Sequence, residues 1–164
     1  MPSSVNQGIG VSDIQNVIKV CETHLAKSNL RGSEIESYLT RYLLVLICGD
    51  YENRIKRMIL ERVKRANDLD LASFVEKTYH KSYRGLKISD IRGNILERFS
   101  ERHVAAFDQK IKLNDDPAIK YQNIVLNRHA IAHGQAANMT FDELVQSYKI
   151  AEKVLVLLGE VLRL

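Results

Sequence analysis

The residues best able to do chemistry crowd into one stretch, Leu126-Asn127-Arg128-His129-Ala130-Ile131-Ala132-His133-Gly134. An arginine, two histidines and an asparagine stand there, spaced by apolar, helix-compatible residues that can hold them rigidly. On a helix His129 and His133, four apart, stack on one face. Arg128 and His133, five apart, stand roughly 140° round the axis and meet only through arginine's reach or through a second chain. Gly134 then falls just past the helix end, where left-handed backbone costs glycine nothing.

Three chemistries could use this set. His129-x-x-x-His133 has the spacing that puts two imidazoles on one metal, but alanine occupies position 130, where His-Glu-x-x-His carries glutamate, and no third ligand stands nearby. Neither a metal nor a cofactor is therefore expected. Cations near a helix C-terminus can also simply cap its carbonyls and oppose the macrodipole, which explains one such residue better than three. The third chemistry is metal-independent cleavage of RNA. Attack of a ribose 2′-hydroxyl on its adjacent phosphate needs a base, an acid for the leaving 5′-oxygen and a fixed cation for the charge building on the phosphoryl oxygens. Histidine serves as acid or base near neutral pH, and arginine clamps phosphate bidentately. Arg128 and His133 fit those roles, with the adjacent Asn127 as a supporting candidate, and a two-fold homodimer joining two copies of the stretch would supply both acid and base.

The elements that must position these groups read as helices. Only two prolines and few alternating β-branched runs occur in 164 residues, which favours an all-α chain. After a loose arm over residues 1–11, Ser12-x-x-Gln15 has the form of a capping box and opens a first helix, with Ile14, Val17, Ile18, Cys21 and Leu25 on one face. Ser33-x-x-Glu36 opens a long second helix to about Ala66. Its expected core face includes Ile35, Leu39, Tyr42, Leu43, Leu46, Ile47, Ile55, Met58, Ile59 and Val63, interrupted by the polar Gly49-Asp50-Tyr51-Glu52. Asn67-Asp68 begins a shorter helix carrying Phe74, Val75 and Tyr79, and Tyr79–Lys87 reads as a polar loop. Ser89-Asp90 caps a helix with Ile91, Ile95, Leu96 and Phe99, and the pattern continues through Val104, Phe107 and Ile111 after a break near Ser100. Asn114-Asp115-Asp116-Pro117 starts the helix that carries the chemistry, with proline at its first position and Ile119, Ile124, Val125 and Ile131 towards the core. Thr140-x-x-Glu143 launches the last helix, apolar from Leu144 to Leu162. Short links between five or six helices imply an up-and-down bundle, as one domain spanning residues 1–164.

Two further segments are basic. Arg54, Lys56, Arg57, Arg62, Lys64 and Arg65 form either a solvated helix face or a phosphate-facing surface. Tyr79-His80-Lys81-Ser82-Tyr83-Arg84 alternates aromatic with basic residues, so Tyr83 and Arg84, with Arg54 and Arg57, are the candidate RNA contacts. The net charge of +4 permits a polyanionic partner without demanding one. Cys21 and Cys48 lack CxxC spacing and read as buried free thiols in a reducing compartment. The N-terminal residues show no basic-then-apolar leader, and no run approaches the roughly 18 apolar residues of a membrane span, so the expected location is the cytoplasm.

Arg128-His129-x-x-x-His133 resembles the Arg-polar-x-x-x-His signature of the HEPN superfamily, small all-helical domains many of which are ribonucleases. The position of the signature, late in the chain on a helix followed by one more helix, is also similar. Arg-His-x-x-x-His-Gly together with Gly49-Asp50-Tyr51-Glu52 resembles the RiboL-PSP branch. The resemblance implies Arg128 and His133 as the catalytic pair with His129 as supporting polar group, and a homodimer with the active site between protomers. It also implies no metal and a role as a toxin or antiviral defence effector, with an antitoxin or nucleotidyltransferase as a possible partner. By the same analogy Glu52 is the candidate to orient Arg128 or a histidine, with an ordinary salt bridge as its alternative. Some HEPN toxins carry a modifiable tyrosine two residues past the catalytic histidine; here that residue is Gln135. The rival to an endonuclease is a non-catalytic helical binding or scaffold module on the same fold.

Overall fold

The last helix packs against several of the others, and its start is written locally. The Thr140 hydroxyl accepts the Glu143 backbone N–H at 3.2 Å, while the Glu143 carboxylate accepts the Thr140 N–H at 2.8 Å, so two of the orphan donors at this end are satisfied reciprocally. From Phe141 to Val161 the helix then buries Leu144, Val145, Tyr148, Ala151, Val154, Leu155, Leu158 and Val161. Each such side chain contributes about 1.5–3 kcal/mol when fully withdrawn from water.

The computed structural model describes the backbone of residues 11–82 and 86–164, and the side chains of residues 13–78 and 86–164. In chain order the helices are α1 (Val11–Lys27), α2 (Glu34–Lys64), α3 (Leu69–Ser82), α4 (Ile88–Asp90), α5 (Glu101–Lys112), α6 (Asp115–Ala132) and α7 (Phe141–Val161). Between α4 and α5 the chain runs through a π-turn at Ile91–Ile95 and a 3₁₀ turn at Leu96–Arg98. There are no strands among the described residues, and none of the described helices is long and apolar enough to cross a membrane. The expected all-α class is what the structure shows, with seven helices where five or six were expected. The added helix comes from the break at Ser100, which separates α5 fully from the α4 segment. Gly93 lies in that π-turn, where a helix former would have held a regular ladder.

Several local expectations change. Helix α1 already includes Val11, so Ser12 sits inside the first turn and is not its cap; the remainder of the expected N-terminal arm lies outside the described residues. At α2 the Ser33 hydroxyl accepts the Glu36 N–H at 3.4 Å, but the Glu36 carboxylate takes the N–H of Gly32, shifting the box by one residue. Helix α3 continues to Ser82, so the backbone of residues 79–82 is helical and not a loop. Pro117 is the third residue of α6, still within the first turn whose N–H groups lack intrahelical acceptors. Ile35, Tyr42, Phe74 and Ile119, expected in the core, are exposed, because an apolar stripe wider than its partner leaves its margins in water.

Helices α2, α6 and α7 meet in an unusually polar centre. Tyr51 of α2 stacks on Tyr121 of α6, ring centroids 5.0 Å apart, and on Tyr148 of α7 at 6.2 Å. Beside them the Arg54 guanidinium reaches both carboxylate oxygens of Glu152 at 2.7 Å and Asp50 Oδ2 at 3.3 Å. Asp50 is 1% exposed, and its Oδ1 and the hydroxyls of Tyr51, Tyr121 and Tyr148 are buried without a hydrogen-bond partner among the described residues. The Gly49-Asp50-Tyr51-Glu52 interruption therefore turns its middle two residues inward.

Burial raises the Asp50 carboxyl above its ordinary range, and the Arg54 charge opposes that only in part. A folded-state pKa above the unfolded one means the folded protein holds this proton more readily, so stability falls as pH rises through the folded value. Asp50→Asn should therefore raise the thermal midpoint at pH 7. The gain should shrink as pH falls and vanish below about pH 4, near the unfolded value. Melting curves of both proteins across pH 3–8 measure it, and a gap independent of pH would contradict the burial effect.

Candidate active site

Helix α6 brings the chemistry to its C-terminal end and then stops. His133 is the C-cap residue, with φ −99° and ψ 17°, and its N–H lies against the His129, Ala130 and Ile131 carbonyls. Gly134 follows at φ +75°. Its N–H donates to Ile131 O at 3.0 Å and that of Gln135 to Ala130 O at 2.9 Å, the paired bonds of a Schellman ending. The expectation of a glycine-terminated helix at this position holds.

The His129 and His133 rings lie edge to face with centroids 5.2 Å apart, and both side chains are exposed. Among the described residues no group of three or more metal-ligating side chains forms. Arg128 leaves the helix seven residues after Tyr121, on nearly the same side. Its charge reaches the Cys48 thiol of α2, yet its side chain is exposed, with no hydrogen bond or ion pair holding the guanidinium among the described residues. The cation and the two imidazoles thus emerge on separate faces at one end of the bundle.

Asn127 fixes the loop beyond the site. Its Nδ2 donates to Asn123 O at 2.9 Å and its Oδ1 accepts the Asn138 N–H at 2.7 Å, which ties the link between α6 and α7 back onto α6. Asn127 therefore acts on the backbone of the link and not through its side chain at the histidines.

The remaining candidates are dispersed. Glu52 pairs with Lys56 at 2.8 Å on its own helix, the salt bridge weighed as its alternative role, although its charge also reaches Cys48. Arg54 is only 16% exposed and committed to Glu152 and Asp50, so it faces the core and not solvent. Arg57 is exposed beside a groove of about 190 Å³ between α2 and α3. Tyr83 and Arg84 lie outside the described residues. Burial pushes the Cys48 thiol up to about 12, so Cys48, free and buried like Cys21, stays an inert thiol. The buried Tyr51 was missed, but Ile47, Tyr51 and Ile55 recur every four residues, a signal that could have found it.

A family model, RiboL-PSP-HEPN, matches residues 12–163 of the chain. No curated protein and no solved structure matches it.

The left-handed backbone at Gly134 makes the ending of α6 testable. A Cβ there would meet nothing within 4 Å, so Gly134→Ala should cost about 1–2 kcal/mol through backbone strain alone. Chemical denaturation of both proteins measures it, and a neutral effect would show that the helix can end elsewhere.

Proposed function

The chain belongs to the RiboL-PSP-HEPN family, and on that premise we propose that it is a metal-independent RNA endonuclease working as a homodimer, a toxin or defence effector. Ribonuclease chemistry is what the family points to in general. The observation that carries the finer reading is the ending of α6, where an unpaired arginine and two exposed imidazoles project from one rigid helical turn.

In this reading Arg128 clamps the scissile phosphate and stabilises the charge gathering on its non-bridging oxygens. An imidazole takes the proton from the ribose 2′-hydroxyl, whose oxygen attacks the adjacent phosphorus. A second imidazole delivers a proton to the departing 5′-oxygen, leaving a 2′,3′-cyclic phosphate and a 5′-hydroxyl. His133 fills one of these roles and its copy in the second protomer the other, while His129 packs against His133 and sets its orientation. Asn127 ties the following loop back onto α6 through the Asn138 N–H. Arg57 remains a candidate contact for the RNA strand.

The surface of α2 supports a second copy at this end. Ile35, Tyr38, Tyr42 and Val45 are 43–61% exposed and recur at spacings of three, four and three, so they form one stripe along the helix. That stripe ends three residues before Cys48, the thiol that the Arg128 charge reaches. An antitoxin or nucleotidyltransferase is a further partner that this reading allows.

Purified protein incubated with total RNA in excess EDTA should cleave it and leave 2′,3′-cyclic phosphate ends. Arg128→Ala and His133→Ala should each lower the rate by at least about 100-fold, the usual scale for a lost clamp or proton-transfer group. Silence from a dimeric parent protein would favour the binding module. Replacing Tyr38 and Tyr42 together by glutamate should give a monomer by light scattering that no longer cleaves; a dimer that persists would place the interface elsewhere.

A further inference from the structure

At the end of the bundle away from α6's terminus, three arginines converge without partners. Arg62 and Arg65 of α2 and Arg163, just after α7, line a hollow of about 40 Å³ with Met58, Gly159 and a single carboxylate, Glu61. None of the three forms an ion pair among the described residues. Arg163 feels Glu160 only at longer range, and the Glu160 carboxylate is taken by Lys110 at 2.6 Å. The Arg62 Nε–H is buried with no acceptor among the described residues, an omission folded proteins rarely tolerate unless an ion or water completes it. Close by, the imidazole of His103 is 6% exposed, and its Nε2 also lacks a partner. Burial first, then the Arg102 and Arg62 charges, disfavour its protonated form, and Arg102 itself donates to Leu164 O.

We propose that Arg62, Arg65 and Arg163 form a binding site for a phosphate group. Guanidinium forks match phosphate oxygens geometrically, and the Arg62 Nε–H gains the acceptor it lacks. From Cys48, beside Arg128, to Arg62 is about 21 Å along α2 at roughly 1.5 Å per residue, so one phosphate cannot occupy both places. The phosphate comes either from an RNA strand running on from the α6 end, which rests on the function proposed above, or from a free anion, which does not.

The test follows the Arg62 Nε–H resonance of the full chain, labelled with ¹⁵N-arginine, and needs no cleavage. Inorganic phosphate in the millimolar range should shift that resonance, chloride at matched ionic strength should not, and the combined Arg65→Gln and Arg163→Gln changes should abolish the response. Both altered side chains are exposed, so the fold survives the substitutions. A 2′-deoxy oligonucleotide, which cannot be cleaved, distinguishes the sources. If it produces the shift and competes with phosphate, the strand fills the site; if phosphate alone acts, a free anion does. No shift with either ligand, or an equal shift with chloride, would overturn the proposal.

Discussion

The grip of Arg54 on Glu152 sets the register on which the rest of the molecule depends. A guanidinium this largely withdrawn from water favours pairing, because the charge-assisted bonds it makes replace the hydration it has lost. Glu152 meets it with both oxygens at 2.7 Å, and one alignment of α2 against α7 allows that. Tyr148, four residues earlier on α7, then falls against Tyr51, three residues earlier on α2, and Tyr51 receives the Tyr121 ring of α6. The third helix is thereby placed lengthwise as well as sideways.

Once Tyr121 is fixed, the end of α6 follows from chain geometry. Arg128 lies seven residues on, about 10.5 Å further along the axis, and the helix runs out at His133 because Gly134 takes a left-handed conformation there. The imidazoles sit in the last turn and at the cap, and the cation one residue before them on another side. At the same end, Arg31 joins the start of α7 to the start of α2 by bonding Asp142 at 2.7 Å and Glu36 at 3.2 Å. These exposed pairs are worth little each but help orient the entry to both helices. A polar centre costs stability, which Asp50 illustrates, yet it fixes one register where an apolar seam could slide.

What was legible in the sequence was local or strongly periodic. The Thr140-x-x-Glu143 box, the glycine ending after His133, the apolar face of α7 and the break at Ser100 all act within a few residues of themselves. The stretch from Arg128 to His133 was recognisable by residue type and spacing, and the matching family model is the one its pattern resembles. What stayed hidden depends on partners far along the chain. Arg54 looked like part of a basic surface because Glu152 is 98 residues away. Asn127 gave no sign that it would hold Asn138. Tyr42 and Ile35 looked like core because the pattern gives the side of a helix that is apolar and not how much of it a partner covers.

The central claim is that Arg128 of one protomer works with His133 of another. Mixing Arg128→Ala and His133→Ala proteins, each inactive alone, under conditions where subunits exchange tests it most directly. Heterodimers pair an intact arginine from one chain with an intact histidine from the other. A composite site predicts that cleavage rises above that of either variant alone, to a small fraction of the parental rate because a single His133 is left for two proton transfers, in step with the heterodimer population measured by native mass spectrometry. Heterodimers that form and remain silent would contradict it and confine the arginine and the histidine to a single chain.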